Sequence, residues 1–257
     1  MYETLSEDYD RFVNWDNRLA YEMPFIESRI ELLTGGTQRR LDVLDSACGT
    51  GMHAIALARS GHRVSGADLF PQMVEKSRRN AVNAGVAVRF ETTGLGKVAA
   101  VFGEEKFDLV LCLGNSLPHL LSADELAAAL QDFAACLRPG GMVLIQNRNF
   151  DAVMQHRERW MEPQVHREGN TEWIFQRFYD FQDDGLIQFN IVTLKNEPGK
   201  GWASSVASTR LRPQLHAELE AALVDAGFTG IRAFGSMAGE DFSAASSGNL
   251  VLTAVRP

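Results

Sequence analysis

The chain has 257 residues, 45% of them hydrophobic and 23% charged, with a formal net charge of −8; that suits one large globular domain with room for an insertion. No stretch approaches the roughly 20 apolar residues of a membrane helix, and an acidic chain lacks the basic stripe that announces a nucleic-acid surface. Cys48, Cys112 and Cys136 are odd in number and widely spaced, so they form neither a disulfide framework nor a zinc pattern, and with an acidic N-terminus lacking an apolar signal core they predict a cytoplasmic protein.

Residues 1–36 read as an N-terminal helical arm. Glu3 to Arg11 is acidic with Tyr2, Leu5 and Tyr9 interspersed, and Leu19, Met23, Ile26, Ile30 and Leu33 fall at helical spacing. Pro24 should bend or restart that helix, and Gly35-Gly36 ends it. From Leu41 strand and helix signals alternate. Asp42–Ser46 and Arg63–Ala67 read as strands, with a helix over Met52–Ser60 between them and another from Pro71 to Asn83. Val86–Glu91 and the buried run Phe107–Leu113 are further strands. Ser122 and Glu125 form a capping box opening a helix to Leu137; the turn Arg138-Pro139-Gly140-Gly141 leads into strand Met142–Gln146. This alternation predicts an α/β protein with a doubly wound, mostly parallel sheet, seven-stranded once Ile231–Phe234 and Asn249–Val255 are added.

The rhythm changes after residue 150. Thr171–Phe181, Leu186–Asn196 and Trp202–Arg212 alternate as three long strands, joined by Asp183-Asp184-Gly185 and Glu197-Pro198-Gly199-Lys200-Gly201, both hairpin turn chemistry. They predict an inserted three-stranded antiparallel lid over residues 151–212. Pro213–Ala226 returns to helix, so the core domain would comprise residues 37–150 and 213–257. His156 and His166 lie in the insertion without metal-like spacing, and no metal is expected.

The chemistry concentrates in Val43-Leu44-Asp45-Ser46-Ala47-Cys48-Gly49-Thr50-Gly51, a buried strand opening into a small-residue turn, with Asp68 closing the next strand where it could receive ribose hydroxyls. Gly49-x-Gly51-x-x-Ala54 satisfies a dinucleotide fingerprint, so a nicotinamide-dependent oxidoreductase stays open on the glycines alone. Asp45 points elsewhere. A carboxylate is poorly placed beside a pyrophosphate but well placed for a cationic ligand, and S-adenosylmethionine carries an ammonium, a sulfonium and no phosphate.

That nine-residue stretch resembles the first motif of class I S-adenosylmethionine-dependent methyltransferases, and its Ala-Cys-Gly-Thr-Gly form resembles the glycine N-methyltransferase group. Leu113-Gly114-Asn115-Ser116-Leu117-Pro118-His119-Leu120 and Gln146-Asn147-Arg148-Asn149-Phe150-Asp151 are similar to that group's segments after strands four and five. The resemblance implies a Rossmann-like fold. It sets Ala47, Gly49 and Gly51 against the cofactor's amino-acid end, Asp68 on the ribose, and Leu69 and Met73 near the adenine. It puts Leu113 and Asn115 near the transferable methyl and Arg148 on a substrate carboxylate, with Tyr9, Trp15 and Arg18 in an arm that closes the site. Asn147 and Phe150 depart from the histidine and tyrosine of the pattern, which bears on the acceptor. His119 could be a general base, a substrate hydrogen-bond partner or a structural histidine. His53 is expected on a helix surface.

The implied activity is methyl transfer to a small-molecule acceptor, an amine on a carboxylate-bearing, glycine- or sarcosine-like substrate; the alternative is O-methylation of a larger metabolite. No nucleic-acid or membrane partner is expected, and a homo-oligomer is left open.

Overall fold

The structure, a computed structural model, describes residues 9–257; the expectations on Tyr2, Leu5 and the acidic stretch before Tyr9 lie outside them. The arm comprises a short turn of helix, α1 (Tyr9–Phe12), and a long helix, α2 (Trp15–Thr34). α2 runs through Pro24 without restarting. Pro24 and Ala20 are both exposed, so water can serve the Ala20 carbonyl that the missing N–H leaves without a partner. Gly35, at φ +62°, ends the helix in the left-handed conformation.

Strands β1 (Asp42–Asp45), β2 (Arg63–Asp68), β3 (Arg89–Thr92), β4 (Phe107–Cys112) and β5 (Leu137–Arg148) pair in parallel in the spatial order β3-β2-β1-β4-β5. The connecting helices are α3 (Met52–Arg59), α4 (Pro71–Ala84), α5 (Val98–Phe102) and α6 (Ala123–Cys136). Every residue of β4 is buried, which explains its unbroken apolar run: helices cover both faces of the sheet. Its one carboxylate, Asp108, accepts the Asp42 N–H at 2.8 Å and pairs with Arg138 at 3.1 Å, so the acid is satisfied at the strand's entry.

One core layer packs α2, α3 and α4 against the sheet through Ile26, Leu57, Val74 and Leu111. The other face holds Leu44, Val110, Phe133, Ile145 and Leu252. The capping box forms as predicted, with Glu125 N–H donating to Ser122 Oγ and Ser122 N–H to Glu125 Oε2, both at 3.1 Å. The Arg138–Gly141 turn is absorbed into β5, whose pairing with β4 shifts between Phe107 and Leu109.

After β5 come a seven-residue helix, α7 (Phe150–His156), and an antiparallel sheet of β6 (Gln164–Glu168), β7 (Thr171–Phe181), β8 (Ile187–Glu197) and β9 (Gly201–Leu211). The sheet therefore has four strands where three are expected. The added edge strand β6 is exposed except at His166 and carries no apolar alternation to announce it. Phe150, Val153, Tyr179, Ile187 and Leu211 form a small separate core beneath this sheet. Helix α8 (His216–Asp225) then returns to the main sheet, which β10 (Thr229–Phe234) and β11 (Asn249–Val255) complete as an antiparallel hairpin, β11 lying beside β5. No described helix is long and apolar enough to cross a membrane.

Candidate active site

The C-terminal ends of β1, β2 and β4 open into a cavity of about 490 Å³, where the α/β rule places a ligand. The turn after β1 is held by its backbone. Ser46 N–H donates to the Leu111 carbonyl and Cys48 N–H to the Ala67 carbonyl, each at 2.8 Å, and Gly49 N–H to Asp68 Oδ2 at 2.9 Å. Gly49, at φ +54°, lines the cavity; a β-carbon there would meet the Tyr9 ring at 3.6 Å. Gly51 is different. It sits behind the turn at φ +82°, where a β-carbon would stand 2.8 Å from both Phe90 and Ser77, so its smallness serves packing under the loop, and it is not among the cavity's lining residues.

Asp45 and Asp68 both face this cavity. Asp45 is 2% exposed and its Oδ2 has no partner. Burial, partly offset by the charge of His53, raises its carboxyl to about 6. A buried carboxylate with one oxygen left unpartnered is what a cationic ligand group would complete. Asp68 accepts from Gly49 and from Phe70 N–H (3.0 Å), and burial raises its carboxyl above the ordinary range. Each oxygen retains acceptor capacity for a hydroxyl. Ala47, Leu69, Met73 and Leu113 also line the cavity, Leu69 as a side chain 62% exposed at its mouth.

The arm covers the turn through one acid. Asp10 Oδ1 accepts from Trp15 Nε1 at 2.9 Å and from Thr50 Oγ1 at 2.7 Å, and Asp10 Oδ2 pairs with Lys76 at 2.9 Å. Tyr9, Trp15 and Arg18 all reach the cavity wall. Arg18 Nε donates to Glu22, whose other neighbour is His53 Nε2 at 2.6 Å. Burial alone would raise Glu22, but the bonds from His53 and Arg18 hold it below the usual carboxylate value. His53 is therefore not on a helix surface. It is buried and lines the cavity, because the arm packs over the face of α3 that the sequence leaves looking open.

A second cavity of about 580 Å³ adjoins the first and shares Tyr9, Arg18, Gly114 and His119 with it. Gly114 (φ +75°) and Asn115 (φ +67°) turn the chain left-handed after β4, a conformation that asparagine tolerates better than most residues. Asn115 N–H donates to the Gln146 carbonyl at 3.1 Å, and Asn115 Oδ1 accepts Arg148 N–H at 3.0 Å. This fixes the ends of β4 and β5 together at the mouth shared by the two cavities. Burial pushes His119 down to about 4, so it is a neutral imidazole at physiological pH and a poor proton acceptor from an ammonium.

Arg148 lies in this second cavity, its guanidinium bonded to Glu158 at 2.8 Å and its Nε buried without a partner. The two departures from the family pattern lie elsewhere. Asn147 is fully buried and donates to Gln214 at 3.2 Å, while Phe150 fills the small core under the meander. Alternation along β5 puts Gln146 and Arg148 toward the cavity and Asn147 away from it. Asn149 caps α7 and Asp151 accepts the N–H of His216 at 2.9 Å. Neither departure lines a cavity, so neither alters the acceptor's surroundings directly.

Sequence reasoning missed Arg177, Tyr179, Gln146 and Asn249, which also line the second cavity, and Thr93 and Lys97 in the first. The available signal was phase. Trp173, Phe175 and Tyr179 share the buried side of β7, and Arg177 stands between them on that side. Apolar Ile174 and Phe178 on the opposite phase obscured it.

Apart from Gly51, the residues that resemble the cofactor-binding set line the first cavity, while Asn115 and Arg148 line its neighbour and His119 lines both. A methyltransferase-domain family model matches residues 43–141. A structure of an S-adenosylmethionine-dependent methyltransferase from Clostridium acetobutylicum superposes with a TM-score of 0.78 at 16% identity, covering 99% of this chain and 98% of that one. Fold and match together define a class I S-adenosylmethionine-dependent methyltransferase, and the nicotinamide reading of the glycine pattern falls. Among characterised relatives, glycine/sarcosine N-methyltransferase of Parasynechococcus marenigrum is 31% identical over 75% of this chain and 70% of its own. The enzyme of the same name from Aphanothece halophytica is 29% identical over 76% of this chain and 74% of its own. The chain belongs to the glycine/sarcosine N-methyltransferase family.

Proposed function

We propose that the enzyme methylates the amine nitrogen of a small carboxylate-bearing acceptor of the glycine or sarcosine kind. The observation that carries this is the adjacency of the two cavities, which share Gly114 and His119, with the carboxylates Asp45 and Asp68 lining the first and the guanidinium of Arg148 the second. S-adenosylmethionine supplies a methyl carbon already activated by its sulfonium. The chain's own residues then align and exclude water. Asp45 takes the donor's ammonium, Asp68 its ribose hydroxyls, and Leu69 and Met73 flank its adenine. Arg148 lines the pocket for the acceptor's carboxylate, the amine enters as its free base so that no side chain need take its proton, and neutral His119 accepts a hydrogen bond from it.

The arm (residues 1–36) and the insertion (151–212) act in this reading as separate closing pieces around a core of residues 37–150 and 213–257. Phe12 meets Phe175 edge-on at 5.5 Å, and Arg11 Nε donates to Glu168 at 3.0 Å, so arm and meander touch above the site. We place the protein in the cytoplasm, in keeping with three buried free cysteines. The second cavity exceeds the needs of glycine, so longer amino acids and hydroxyl acceptors belong in the same screen. Incubation with methyl-labelled donor and mass analysis of the products tests the reading: N-methyl amino acid supports it, and a labelled ether alone refutes it.

A further inference from the structure

Among the described residues, three side-chain cations face the acceptor cavity, and two of them are already spoken for. Arg18 is paired with Glu22 and Arg148 with Glu158. The third, Arg177 of β7, has no carboxylate within ion-pair distance among the described residues, and its Nε is buried without a hydrogen-bond partner. The ring of Phe12 lies 5.0 Å from its guanidinium, covering one face and leaving the edge to donate. We propose that Arg177, supplied by the meander, is the principal ligand of the acceptor's carboxylate, with Arg148, already committed to Glu158, as its second wall.

This rests on the reading of the acceptor as an amino carboxylate and deepens it in two ways. Charge counting limits the anion. Among the described residues, the lining groups Glu22, Arg18, Arg148 and Arg177, with Glu158 bonded to Arg148, leave one uncompensated positive charge, which fits one carboxylate and disfavours two. Placement couples binding to closure. Arg177 is tied into the insertion, since Met161 N–H donates to its carbonyl at 3.1 Å and Ile191 stands opposite it on β8, so an acceptor gripping Arg177 also grips the meander. The burial that lowers the guanidinium's pKa, and the neighbouring charge of Arg148 that adds to it, are relieved by an arriving anion.

The test compares glycine with glycinamide, and sarcosine with its amide, in the full-length enzyme and its R177Q and R177K variants. KM and kcat are measured alongside the dissociation constant of S-adenosylhomocysteine and of acetate in the S-adenosylhomocysteine complex. R177Q is expected to raise KM for the carboxylates on the order of 100-fold, the scale of a lost charge-assisted contact, with the amides unchanged. R177K should restore part of the selectivity, and S-adenosylhomocysteine should bind all three proteins alike. Carboxylate selectivity retained in a folded, product-binding R177Q overturns the proposal while leaving the acceptor reading intact. If the wild-type enzyme methylates no amino carboxylate yet binds acetate in an Arg177-dependent way, the acceptor reading fails and the anion site stands. If acetate binding is also independent of Arg177, the anion site fails with it.

Discussion

Replacing Asp45 by Asn should weaken donor binding and strengthen the empty fold at the same time. The carboxyl is 2% exposed, one oxygen is unpartnered, and burial holds it at about 6 against an ordinary 3.8. At about 1.36 kcal/mol per tenfold change in acidity, keeping it ionised at neutral pH costs the empty fold on the order of 3 kcal/mol. Because the folded carboxyl binds its proton more tightly than the unfolded one, its contribution to stability is full below pH 3.8 and is lost as pH rises through about 6. D45N, which keeps the shape without the charge, should regain on the order of 1–3 kcal/mol at neutral pH and nothing at about pH 4. Without the anion, S-adenosylhomocysteine should bind roughly 30- to 1,000-fold more weakly, about 2–4 kcal/mol. Denaturant melts across pH and calorimetric titration read both effects. A D45N protein that is less stable than wild type at neutral pH, or that binds the product normally, refutes the assignment.

Three further outcomes follow from the same geometry. H119Q should keep activity within about tenfold, since a hydrogen-bond partner remains, and the kcat–pH profile should show no imidazole limb near neutrality. Because burial lowers His119 to about 4, its contribution to stability is present above about 6.5 and is lost as pH falls toward 4, opposite in sign to Asp45; melts of H119Q against wild type check this. G51A should lose at least about 2 kcal/mol of stability, because a β-carbon 2.8 Å from Phe90 and Ser77 meets a left-handed backbone as well. D10A should release Trp15, Thr50 and Lys76 together; protease cleavage near residue 14 should accelerate and product affinity should fall several-fold, with the melting midpoint little changed.

The parallel sheet was legible because its central strand is buried on both faces and each loop carries its own punctuation. Phe107–Cys112 is a continuous apolar run, and the capping box at Ser122 opens the helix that follows it. The glycine turn and its two acids were legible for the same local reason. What could not be read was anything fixed by tertiary contact. Pro24 is tolerated because its side of α2 faces water. His53 is buried because a distant segment lies over it, and β6 exists because β7 offers an edge rather than because Gln164–Glu168 has a pattern. Asn147 and Phe150 bore on the acceptor in the sequence because they stand where the resembled pattern has a histidine and a tyrosine. Strand alternation sends Asn147 to the far side, and Phe150 begins the helix beyond. Arg177 was hidden by the converse: 29 residues downstream of Arg148 in the chain, it faces the same cavity.

The central claim is that the two joined cavities move a methyl group from S-adenosylmethionine to the nitrogen of a monocarboxylate amine. The most direct measurement is a product analysis in which purified enzyme, methyl-labelled donor and a panel of amino acids, their amides, dicarboxylates and phenols compete in one vessel. Label is expected on the nitrogen of a glycine- or sarcosine-like acid, with S-adenosylhomocysteine formed in equal amount. Label on an oxygen, or equal methylation of acid and amide, would contradict it.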